Sequence, residues 1–66
     1  MIKLKVEIYT QYEGGEIELE EKYEDEFNTE QEARKEIENY INNVAWYGSY
    51  VKAYINNKLV KTKSIE

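Results

Sequence analysis

Ile2, Leu4, Val6 and Ile8 alternate with Lys3, Lys5, Glu7 and Tyr9. That period of two predicts a half-buried strand. A second alternating run follows Gly14-Gly15, two residues that tolerate positive φ as a two-residue hairpin turn requires. With Glu13 paired to Glu16 across that turn, Glu7 faces Lys22, Lys5 faces Glu24 and Lys3 faces Glu26. Three opposite-charge pairs fall in one register, and they select it. The register puts Ile17, Leu19, Tyr23 and Phe27 on the inner face of the second strand, and Glu16, Glu18, Glu20 and Glu24 on its outer face. Glu21 and Asp25 share the inner parity, which predicts a bulge or a strand end running past the core.

Thr29-Glu30-Gln31-Glu32 fits a capping box, with the Thr hydroxyl positioned to accept the backbone N–H of Glu32. Ala33, Ile37, Tyr40, Ile41 and Val44 then lie on one stripe at 3.6 residues per turn. The expected helix runs from about Glu30 to Val44 and is terminated by the Asn-rich end and Gly48. Tyr50–Ile55 and Lys58–Lys63 read as two more strands. Asn56-Asn57 between them is suited to a type I′ turn, because Asn tolerates the left-handed region. That turn pairs Val51 with Thr62, Ala53 with Val60, Tyr50 with Lys63, and Tyr54 with Leu59. Trp46 is expected as a lid on the core.

The order is therefore strand, strand, helix, strand, strand: an α+β domain spanning residues 1–66, with one helix across one face of a four-stranded sheet. A right-handed crossover is expected to leave the chain ends on central, parallel strands. An N-terminal hairpin, a capped central helix, the aromatic pair Trp46-Tyr47 and a C-terminal hairpin together resemble the β-grasp architecture of the immunoglobulin-binding domains of protein G. The resemblance implies the fold; no motif in the chain carries antibody binding with it.

Composition narrows the chemistry. Cys and His are both absent. This excludes disulfides, thiolate or imidazole zinc sites, and Ser–His or Cys–His nucleophile systems. Ser49 and Ser64 have no base to activate them, and Asp25 is the only Asp, against a dedicated calcium loop. Glu21 and Asp25 are the only carboxylate pair in a position to do acid–base chemistry, and their plainer reading is a solvated strand end. No enzymatic activity and no cofactor are expected. The alternation from Met1 to Ile8 leaves no apolar leader segment, and no run approaches the length of a membrane helix; a cytoplasmic location is expected.

Charge is uneven. The chain carries a net −5, but residues 13–38 hold 12 acidic and 3 basic side chains. The expected function is a protein-interaction module whose acidic surface meets a basic partner protein through Glu16, Glu18, Glu20 and Glu24 on the strand and Glu32 and Glu36 on the helix. Size and composition resemble those of small phage-encoded inhibitors of bacterial defence proteins such as CRISPR effectors, which implies occlusion or mimicry of nucleic-acid phosphates. The alternative is a housekeeping binding module or homodimer that uses Tyr9, Tyr50 and Tyr54 on the sheet face left bare by the helix. The outsider is a single-stranded nucleic-acid platform built from Tyr47, Tyr50 and Tyr54 with Lys52, Lys58, Lys61 and Lys63, which the net negative charge opposes.

Overall fold

The N-terminal alternation folds as expected. In the computed structural model, which describes residues 1–66, Leu4, Val6 and Ile8 are buried on strand β1 (Ile2–Gln11). The other elements are β2 (Ile17–Phe27), α1 (Glu30–Asn39) with a π-helical turn at Tyr40–Val44, β3 (Ser49–Ile55) and β4 (Lys58–Ser64). They form the ββαββ arrangement of an α+β domain, a single four-stranded sheet with α1 packed on one side. Val51, Ala53 and Ile55 of β3 and Ala33, Ile37 and Ile41 of the helix complete a core of nine buried apolar residues. Trp46 packs partly buried against that core. No helix is long and apolar enough to cross a membrane.

The strand order is β2-β1-β3-β4, and every neighbouring pair is antiparallel. The central pair is thus β1 and β3, and the expectation of parallel, central terminal strands is corrected. The likeness to the β-grasp architecture stops at the order of elements along the chain. The reason lies in the inward rows. A central strand needs every inward side chain buried, and β3 offers Ser49, Val51, Ala53 and Ile55, none more than 4% exposed. The inward partners on β4 are Lys58, Lys61 and Lys63, with the bulged Val60 only partly buried against the core, a row that suits an edge.

The first hairpin keeps the expected register where the charges select it. Lys3 pairs with Glu26, Lys5 with Glu24 and Glu7 with Lys22. The side chains themselves do not close those ion pairs; the one contact on this row is Lys22 to Glu24, at 3.9 Å along the same strand. Exposed pairs contribute little once made, so the register rests on matched charge and burial rather than on bridges. Beyond Ile8 the pairing slips by one, so that Tyr9 faces Leu19 and Gln11 faces Ile17. Glu20 is the extra residue. The turn accordingly spans Glu13, Gly14 and Gly15, closed by Tyr12 N–H to Glu16 O at 2.8 Å. A three-residue loop and a bulge replace the expected two-residue turn.

Both chemical signals for the other turns hold. The Thr29 hydroxyl accepts the Glu32 N–H at 3.2 Å and donates to the Glu32 carboxylate at 3.1 Å. Asn56 and Asn57 adopt φ of 51° and 67°, the left-handed pair of a type I′ turn. The expected Tyr54–Leu59 pairing is found, but a bulge at Val60 shifts the rest: Val51 faces Lys63, Ala53 faces Lys61 and Tyr50 faces Ser64. The helix reaches Val44 as expected, but its last turn widens, with Ala45 N–H donating to Tyr40 O at 2.8 Å. The extra residue in that turn rotates Val44 out of the stripe, to 37% exposure.

Two substitutions test this frame. Ile37→Ala removes a fully buried side chain, a change that costs about 2–5 kcal/mol, as large as the about 3–5 kcal/mol margin of a domain this small. Urea titration followed by circular dichroism should find the variant largely unfolded before denaturant is added. Asn57→Ala should lower stability by about 1–2 kcal/mol, since Ala resists the left-handed region, whereas Asn57→Gly should not. Equal stability of the Ala and Gly variants would refute the turn assignment.

Candidate interaction surface

Residues paired across a sheet project to the same side, so the bulge at Glu20 decides what each face displays. On β1 the outward residues are Lys3, Lys5, Glu7, Tyr9 and Gln11. On β3 they are Tyr50, Lys52 and Tyr54. Nothing covers them. Tyr9 and Tyr50 pair directly, with ring centroids 6.4 Å apart and planes at 56°. Lys52 Nζ lies 5.3 Å from the Tyr9 centroid and 5.9 Å from that of Tyr50, and Lys5 Nζ stands 4.6 Å from the Tyr54 centroid. These are cation–π distances. Tyr9, Tyr50 and Tyr54, singled out from the sequence, thus share one face.

The bulge adds two residues that parity counting placed inside. Leu19 faces Tyr9, and Ile17 faces Gln11, so both project to the open face. Ile17, Leu19 and Leu59 are 49%, 50% and 48% exposed there. Glu21 and Asp25 keep the inner parity of the unbroken register, opposite Ile8 and Leu4, so the slip does not account for them; they stay exposed on an edge strand.

The expected acidic row does not form on one face, and this corrects the placement of Glu16, Glu18 and Glu20. Glu24 alone lies outward, beside Lys5 and Lys22. Glu16 closes the hairpin end. Glu18 pairs with Thr10 on the helix side, and the bulged Glu20 accepts the Tyr12 hydroxyl at 3.3 Å. Glu32 is engaged by the Thr29 cap, and Glu36 accepts from Asn39 Nδ2 at 3.0 Å. Glu21 and Asp25 are exposed on the helix side of β2, outside any buried cleft. No group of three carboxylates converges as a metal site would require.

The phenols report the local fields. Tyr9 is pushed up to about 12, first by burial and then by its 2.8 Å hydrogen bond to Glu7 and that carboxylate's charge. Tyr54 is raised by desolvation and then by the charge of Glu7. On the helix side, Tyr12 is raised chiefly by the Glu20 charge, with Glu18 adding to it. Tyr40, stacked 4.8 Å from Tyr23, is raised by burial and then by Glu36 and Asp25. Comparison with protein-family models, curated proteins and solved structures finds no match to this chain.

Tyr9 makes stability depend on alkaline pH. Below pH 10 the folded and unfolded chains both hold the phenol proton. Between 10 and about 12 only the folded chain holds it, so stability falls as pH rises through that window. Tyr9→Phe should delete the last phenolate step in a near-ultraviolet absorbance titration and flatten this loss. A titration whose highest step survives the substitution would show that another phenol is responsible.

Proposed function

We propose that this chain is a non-enzymatic protein-interaction module that holds its partner on the open face of the sheet. The observation that supports this is the joining of Ile17, Leu19 and Leu59 to Tyr9, Tyr50 and Tyr54 on a side no element covers. Tyr supplies broad contact area while losing few rotamers on binding, and exposed aliphatic groups beside it add apolar area. Lys3, Lys5, Lys22 and Lys52 alternate there with Glu7, Glu24 and Glu26. Mixed signs of that kind orient one partner and discourage non-specific binding to polyanions or polycations.

The acidic-surface reading keeps one supporting observation. Glu18 and Glu20 gather around Tyr12, and Asp25 and Glu36 around Tyr40, on the helix side of β2. A field of that sign fits a basic partner, such as the nucleic-acid-binding site of a defence protein, held by occlusion or phosphate mimicry. Its signature would be an affinity that falls steeply with salt and collapses on Glu18→Lys/Glu20→Lys/Glu36→Lys.

Peptides selected from a displayed random library against the native chain provide the probe. Most should lose roughly tenfold or more in affinity for Tyr9→Ser/Tyr54→Ser, the behaviour of aromatic hot spots, and keep their affinity for the acidic-flank triple variant. Selected peptides indifferent to the Tyr changes, with circular dichroism still native, would move the binding surface off the sheet face.

A further inference from the structure

The two edges of the sheet carry opposite charge. β2 holds six carboxylates and one Lys, and β4 holds three Lys and no carboxylate. Each is an edge strand whose outer backbone groups have no partner in the sheet. We infer that the edges pair with each other between copies of this chain: β4 of one molecule adds to β2 of the next and continues the sheet.

Strand direction permits this without inverting a molecule. β1 runs antiparallel to β2 and to β3, and β3 antiparallel to β4, so β2 and β4 run in opposite directions. A copy displaced sideways, with its helix on the same side, sets its β2 antiparallel against the first copy's β4. The alternation of the sheet is unbroken across the joint. Side-chain faces match too. Lys58, Lys61 and Lys63 pair with Ile55, Ala53 and Val51, which places all three on the helix side. Glu18, Glu21 and Asp25 pair with Thr10, Ile8 and Leu4, which places them on the same side of β2. Lys61 already reaches Glu38 at 2.7 Å, leaving Lys58 and Lys63 without an ion-pair partner in the monomer. Pairing β2 with β2 would oppose carboxylates, and β4 with β4 would oppose lysines, so both symmetric edge dimers are penalised. The joint that remains is head-to-tail, which forms open chains or rings rather than closed dimers. Neither Tyr9 nor Tyr54 takes part, so this inference goes beyond the sheet-face reading and fails separately from it.

Sedimentation velocity with charge-reversed variants tests it. The native chain should show a weight-average mass that climbs with concentration past the dimer and drops when salt is added. Lys58→Glu/Lys61→Glu/Lys63→Glu and Glu18→Lys/Glu21→Lys/Asp25→Lys should each stay monomeric alone. Mixed in equal amounts they should associate again, because each supplies the edge the other lacks. If loss of the Lys61–Glu38 pair unfolds the first variant, Lys58→Glu/Lys63→Glu replaces it. A native chain that remains monomeric at its solubility limit overturns the inference. So does a mixture of folded variants that stays monomeric, or association abolished by Tyr9→Ser/Tyr54→Ser.

Discussion

Ala33, Ile37 and Ile41 have one surface to bury against, the helix-side row of Leu4, Val6, Ile8, Val51, Ala53 and Ile55. With no disulfide to supplement it, that contact between one helical stripe and two central strands carries the domain. It also dictates what remains free. One helix can cover the middle of one face, so the opposite face and both flanking strands are left to water. The residues on them are mostly polar, aromatic or charged, with Ile17, Leu19 and Leu59 the aliphatic exceptions, and the partly covered Tyr23, Phe27 and Tyr40 mark the boundary on the β2 side.

How much of this was legible depended on whether a feature is local. The cap at Thr29, the left-handed Asn56-Asn57 turn and the charge-matched register from Lys3 to Glu7 are each specified by residues close in sequence or directly opposed. Strand order is a competition between β3 and β4 for the place beside β1. Comparing their inward rows, one buried throughout and one mostly of lysines, decides it, but only after the bulge at Val60 is known. The bulges themselves leave little trace. Glu21 and Asp25, whose parity suggested a bulge or a strand end past the core, keep that parity on an edge strand, and in β4 the apolar Val60 fitted the unbroken register equally well. The widened turn at Tyr40–Val44 had no sequence sign beyond the Asn residues within it.

The candidate surfaces divide along the same line. Tyr9, Tyr50 and Tyr54 were placed correctly because β1 and β3 run without interruption from the core outward. The acidic residues were not, because their strand changes face midway. A block of charge compact in sequence is spread in space over a hairpin end, two sheet faces and a helix flank. What looked like one surface of one sign is a set of local environments, in which Glu24 meets a Lys, Glu20 a Tyr hydroxyl, Glu32 a cap and Glu36 an Asn amide.

The hairpin loop links these outcomes. Three residues at Glu13–Gly15 and one spare residue at Glu20 compensate each other, so the strand enters and leaves the slip with its core pairings intact. With the same number of residues the strand could instead pair straight through, with Glu13 opposite Glu16, Gly14-Gly15 as a two-residue turn and Glu20 absorbed into the ladder. Ile17 and Leu19 would then turn beneath the sheet, and Glu16, Glu18 and Glu20 would emerge above it. A slip of one residue, with no change in chain length, thus separates an aromatic–aliphatic exterior from an anionic one over the same buried interior. What the open face displays is therefore decided by which turn the two glycines adopt.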